Sequence, residues 1–203
     1  MNTWQGTRVR LRAVEPADAE THFLWNQDSE MPRGLDYVWP PASRESVRRW
    51  AERTATEPPK GDELNFEIED LEGTVVGNLC THHCDRRTGC LSYGVAIRRE
   101  HQCKGYASEA IFLVLRYFFE ELRYQKVTVQ VYSFNTPSIR LHERLGFQLE
   151  GRLRRTVYTH GRHYDELVYG MTVEEFREAY PVQAGPESEG PEAGGRPARR
   201  ALG

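Results

Sequence analysis

No stretch of this sequence approaches the roughly 18 consecutive apolar residues that a membrane-spanning helix requires. The polar opening MNTWQGTRVR lacks the charged-then-apolar character of a secretion signal. No membrane partner and a cytoplasmic address are therefore expected. Cysteine is scarce, four in 203 residues, and without an export signal reduced thiols are the expected state. Net charge is scarce too: 27 Lys and Arg against 30 Asp and Glu leave a formal −3, which gives no footprint for nucleic acid. What is present is the composition of a soluble domain, 38% hydrophobic and 28% charged, in a chain long enough for one core.

The most informative stretch is LSYGVAIRREHQCKGYASEAIFLVLR, from Leu91 to Arg116. Leu91, Tyr93, Val95 and Ile97 alternate with small or polar residues, the period of a half-buried strand. A polar loop follows to Gly105, after which Ala110, Ile111, Val114, Leu115 and Phe118 recur at helical spacing. A strand that feeds a glycine turn at a helix start places unpartnered N–H groups and the positive end of the helix dipole at one point, which suits an anion. Arg98, Arg99 and Lys104 add charge of the same sign.

Around this stretch the pattern predicts a strand over Thr7–Val14, a helix entered at Pro16 with Phe23 and Leu24 further along it, and a helix capped by Ser43 running to about Thr56. Pro32, Gly34, Pro40 and Pro41 argue against a regular element between Asp28 and Pro41, where Tyr37 and Trp39 invite a substrate-binding role. A three-strand meander follows: Leu64–Ile68, Val75–Cys84 and the Leu91 strand. Lys126–Tyr132 reads as a strand. Thr136 is expected to cap a helix with Pro137 in its first turn, and Gly146 to end it. Leu149–Tyr158 and Tyr164–Thr172 form a second hairpin, and Thr172 to Glu175 is a capping box. This order indicates an α+β fold, a mixed but mostly antiparallel twisted sheet of about seven strands with helices on both faces, in one domain over 1–180. Residues 181–203, rich in Gly, Pro and Glu, are expected to be a disordered tail.

Gln102-Cys103-Lys104-Gly105-Tyr106-Ala107 resembles the Q/R-x-x-G-x-G/A signature of the GNAT superfamily of N-acetyltransferases. The segment Asn135…Ser138-Ile139-Arg140-Leu141…Leu145-Gly146-Phe147 is similar to that superfamily's second block. LRAVEPADAE and HYDELVYGMTVEEF resemble the branch of ribosomal-protein and spermidine N-acetyltransferases, and the likeness runs from about Thr7 to Ala179. The resemblance implies that acetyl-CoA is the acetyl donor and that no metal takes part. The donor's pantetheine arm would pair with backbone near Ala96 and Ile97, and its pyrophosphate would rest on N–H groups from Gln102 through Cys103, Lys104, Gly105 and Tyr106 to Ala107. Ser108 would keep the helix start open, and Asn135 would hold the arm. It implies direct attack by a primary amine: a protein N-terminal α-amine, or a small molecule such as a polyamine, aminoglycoside or amino-acid-like amine. An acyl-CoA-binding sensor that has lost the chemistry is the alternative, and a homodimer is suggested by resemblance only.

Many relatives carry a Tyr as leaving-group acid where this chain has His142; a phenol near ~10 and an imidazole near ~6.5 are different acids. His142 could donate a proton if charged or accept one if neutral, with Ser138 and Tyr132 as nearby alternatives. Some relatives carry a basic carboxylate on the strand matching Leu91–Ile97; here none stands there. Glu67, His82 or His83 on the meander could take that role, and His82, Tyr37 and Trp39 are the candidate acceptor contacts. Cys80, His82, Cys84 and Cys90 supply enough soft ligands for zinc, but C-x3-C on a strand lacks the usual knuckle, so free cysteines are expected.

Overall fold

The computed structural model describes residues 2–181, so the expected tail lies, Pro181 apart, outside the described residues. Seven strands form one sheet: β1 (Val9–Arg12), β2 (Asn65–Asp70), β3 (Val75–Asp85), β4 (Cys90–Ile97), β5 (Lys126–Tyr132), β6 (Gln148–Thr159) and β7 (Arg162–Thr172). Their spatial order is β1-β2-β3-β4-β5-β7-β6. Every neighbouring pair is antiparallel except β4 and β5. That parallel pair joins the meander to the C-terminal hairpin through a crossover helix, as parallel strands require.

The helices are α1 (Ala19–Trp25), α2 (Glu30–Leu35), α3 (Arg44–Thr56), α4 (Tyr106–Arg116), α5 (Thr136–Leu145) and α6 (Val173–Ala179). Side-chain alternation assigns them to two faces. Ile68, Leu79, Leu91 and Tyr93 share a core with Ala110, Ile111 and Val114 of α4, Leu145 of α5 and Phe176 of α6. The opposite face carries Glu67, Asn78 and Ala96 in register across β2, β3 and β4, and there Glu67 meets His22 of α1. Trp50 of α3 lies edge-on to the same histidine, 4.6 Å between ring centroids.

α1 buries His22 and Trp25, and Leu24 is exposed. Two expectations need correction. Asp28–Pro41 is not wholly irregular: Pro32 sits in the first turns of α2, where its missing N–H costs little, and α2 runs to Leu35. The cap of α5 is Asn135, whose side chain accepts from the Ser138 N–H, so Thr136 is already the first helical residue.

Gly77 is held by space. A Cβ built there would lie 2.1 Å from the carbonyl oxygen of Ala96, backbone that cannot step aside cheaply. β3 therefore passes β4 unusually closely beside Ala96. Gly77→Ala should lower stability by about 1–3 kcal/mol, read as a reduced denaturant midpoint at unchanged slope.

Candidate active site

β4 and β5 pair only at Cys90↔Lys126 and Leu91↔Val127. Beyond those residues the strands part, and Ser92–Ile97 faces Thr128–Tyr132 across a V with no ladder between them. At its apex, the first level past the pairing, stand Tyr93 and, from α5, His142. The imidazole lies nearly parallel to Tyr93 (5.9 Å, 25°) and Tyr169 (6.2 Å, 23°), and edge-on to Phe147 (5.1 Å, 89°). Tyr93 Oη and His142 Nε2 are both buried without a hydrogen-bond partner among the described residues.

Of the two roles left open for His142, this geometry favours the neutral acceptor over the charged acid. Its Nδ1 lies 2.8 Å from the Ser138 carbonyl oxygen. A carbonyl only accepts, so Nδ1 carries the hydrogen and Nε2 the lone pair. Burial pulls the imidazole pKa down, against the lesser upward pull of that hydrogen bond, and the ring is neutral. Ser138 Oγ is 3.4 Å from the same Nδ1, a weak contact. Burial also pushes the Tyr93 hydroxyl well above the usual phenol range, so it holds its proton.

At the open end, the loop after β4 keeps the expected anion site with one change. The Gln102 N–H donates to the Arg99 carbonyl, and the Gln102 amide donates to the Ile97 carbonyl at 3.0 Å. Gln102 thus shapes the loop. The N–H groups from Cys103 to Ser108, those of Gly105, Tyr106 and Ala107 included, donate to no acceptor among the described residues. Gly105 sits at φ 85, the left-handed turn that glycine adopts without strain. Arg98 leaves the loop's field: it pairs with Glu100 and lies over the Trp25 ring, 5.4 Å from its centroid. A cavity of about 650 Å³ opens beside this helix start, lined among others by Cys103, Lys104, Gly105 and Ser108. Unpaired strand edges around Ala96 and Ile97, two buried orphan polar groups and a ring of free N–H groups together fit the arm and phosphates of acetyl-CoA.

On the other face, Glu67 is fully buried. His22 Nε2 donates to its Oε1 at 2.6 Å, and its Oε2 has no partner. Trp25 and Trp50 flank the His22 ring. Glu67 lies level with Ala96, two strands away through Asn78. His82 does not join it: its partner on β4 is Ser92, at the closed end of the V, and its Nδ1 lies 3.1 Å from that of His83. Four residues of strand, about 13 Å, separate that level from Ala96. Cys80 and Cys84 are free thiols whose pKa values burial pushes up. Among the described residues no group of three or more His, Cys, Asp or Glu is placed to share a metal ion.

The segment bearing Tyr37 and Trp39 is clipped to the site. Tyr132 Oη donates to the Asp36 carbonyl (2.9 Å), and Asn135 Nδ2 donates to the Gly34 carbonyl (3.0 Å). Arg33 donates to Thr159 at the β6–β7 tip. Asn135, expected on the donor arm, instead caps α5 and latches α2. Tyr37 and Trp39 remain 59% and 55% exposed on that segment, open to an acceptor. Sequence reading missed His22, Tyr93 as a polar group, and Arg8. Each looks like an ordinary helix or strand residue, and only the contacts distinguish them.

The family model for the acetyltransferase (GNAT) domain matches residues 8–148. The chain is 43% identical over 173 residues to the SPbeta prophage-derived uncharacterized N-acetyltransferase YokL of Bacillus subtilis, covering 85% of this chain and 94% of that one. It is 26% identical over 159 residues to the spermidine N(1)-acetyltransferase of Vibrio cholerae, covering 78% and 90%. Among solved structures, spermidine N-acetyltransferase from Vibrio cholerae in complex with CoA and spermine superposes with a TM-score of 0.74 at 22% identity, covering 84% of this chain and 98% of that one. A GCN5-related N-acetyltransferase from Brucella melitensis gives 0.72 at 25%, covering 87% and 80%.

The neutral histidine makes a pH-dependent contribution. The folded pKa of His142 lies below the unfolded value of ~6.5. Below about 6.5 the unfolded chain gains a proton that the folded chain refuses, so stability falls with pH from there down to the folded pKa. His142→Phe should lose less stability between pH 7.5 and 5.5 than the wild type, measured by urea unfolding.

Proposed function

The chain belongs to the GNAT acetyltransferase family and uses acetyl-CoA as its donor, and on that premise we propose that it acetylates a primary amine carried on an apolar body, such as the first residue of a peptide. The observation that carries the donor half is the V between β4 and β5, with two buried unpartnered polar groups at its apex and free N–H groups at its open end. When bound, acetyl-CoA supplies a thioester-activated acetyl group open to direct attack by the amine.

The chain's own residues then divide the work. Backbone along Ser92–Ile97 orients the arm, with Ala96 buried behind it. Cys103 to Ser108 hold the diphosphate by their N–H groups. Glu67 is the base. It stands about 10 Å from Ala96, two strand spacings, and draws the amine's proton through intervening water onto Oε2, while His22 fixes its other oxygen. As the nitrogen–carbon bond forms and the carbon–sulfur bond breaks, the hydroxyl hydrogen of Tyr93 Oη at the apex would pass to the departing thiolate and be replaced from solvent, while His142 Nε2, kept unprotonated, serves as a hydrogen-bond acceptor. Ser138 lines the first turn of α5 as a second hydroxyl.

The acceptor half rests on the rim. Leu35, Tyr37, Val38 and Trp39 are all exposed, and the adjoining hairpin carries exposed Arg154, Arg155 and Arg162. Glu30 on the same rim is paired with Arg33 and faces His160. Apolar contacts beside positive charge support an amine on an apolar or acidic body over a polycation.

Glu67→Gln should reduce kcat about 100-fold while leaving the acetyl-CoA Kd within twofold, measured by CoA release and by titration. An unchanged kcat would remove Glu67 from proton transfer. In a panel of peptides, amino acids, aminoglycosides and spermidine, detected by mass, peptide or amino-acid amines should be acetylated fastest. Preference for spermidine would overturn the acceptor reading, and no turnover on any amine despite acetyl-CoA binding would identify a sensor.

A further inference from the structure

The three arginines of the first strand have different surroundings. Arg10 pairs with Glu69, and Arg12 with Glu69 and Asp18. Arg8, one step before β1, is exposed and makes no ion pair among the described residues. Its Nη1 donates to the Lys104 carbonyl at 3.2 Å, one of the five N–H donors a guanidinium carries. The remainder of the fork stands over Gly105: a Cβ built on that glycine would lie 3.5 Å from Arg8 Cδ and Nε and 3.7 Å from Cζ. Arg8 also lines the cavity beside the start of α4.

The position is built. Glu109, in the first turn of α4, accepts from the N–H groups of Thr7 (2.9 Å), Arg8 (2.7 Å) and Val9 (2.8 Å) and from Thr7 Oγ1 (2.8 Å). The helix that offers the free N–H groups thus pins the backbone that presents the guanidinium. Glu109 also borders the cavity, but four donors already occupy its oxygens, which blunts its repulsion of an anion. Lys104 contributes a second cation to the same rim. A planar fork beside the free amide N–H groups, on the rim of the same cavity, can bind one anion jointly with them.

We propose that Arg8 is a donor-binding residue, gripping the diphosphate of CoA together with the α4 N–H groups beside which it stands. The proposal rests on the reading of this helix start as the donor site. It explains how the loop compensates for Arg98, which turns away to Trp25.

Calorimetric titration with CoA, dephospho-CoA and pantetheine tests it, using wild type, Arg8→Ala, Arg8→Lys and, as a control on the same strand, Arg10→Ala. Arg8→Ala should weaken CoA and dephospho-CoA alike by about tenfold or more and leave pantetheine unchanged. Arg8→Lys should recover part of the loss, and Arg10→Ala should match wild type. Unchanged CoA affinity in Arg8→Ala would overturn the proposal. So would a loss confined to CoA, which would move the contact to the ribose phosphate, or an equal loss with pantetheine, which would make the effect conformational. Wild type failing to bind CoA at all would instead overturn the donor-site reading beneath it.

Discussion

The whole arrangement depends on one broken ladder. β4 and β5 are hydrogen-bonded over two residue pairs and then separate, although each stays paired along its other side past that point, β4 with β3 and β5 with β7. The outer pairings carry the stability of both halves of the sheet, so the central seam can open without unravelling either. Exposed edges of this kind are ordinarily a liability. Here they face each other across the V, where an extended ligand can satisfy them.

Much of this was legible in the sequence because the signals were local. Alternation in Leu91–Ile97 and Lys126–Tyr132, the glycine at 105 and the proline at 137 each act through their own backbone, and the elements stand where those residues place them. The parallel pairing could be inferred only as far as the crossover that demands it. The parting of the strands appears only in the register of β4 against β5, which no local pattern encodes.

The site was less legible, and for a physical reason. Side chains such as His22, Tyr93 and Arg8 have roles fixed by partners 45 to 96 positions away, or by the lack of one. For His142 the residue type left open both a charged donor and a neutral acceptor, and only the surrounding Tyr93, Phe147 and Tyr169 rings weigh toward the neutral form. Asn135 likewise has the residue type for ligand contact, and its geometry directs both ends of the amide to the protein itself.

The clip from Tyr132 and Asn135 to α2 uses the main-chain carbonyls of Asp36 and Gly34 as its far ends. Main-chain carbonyls are the same whatever residues carry them, and two neutral hydrogen bonds of about 1 kcal/mol each are modest ties. Apart from the Arg33 contact to Thr159, the mounting of this rim therefore does not draw on the rim's own side chains. Residues such as Tyr37 and Trp39 can be exchanged without loosening the frame, so one scaffold can drift among acceptors while its donor half stays fixed.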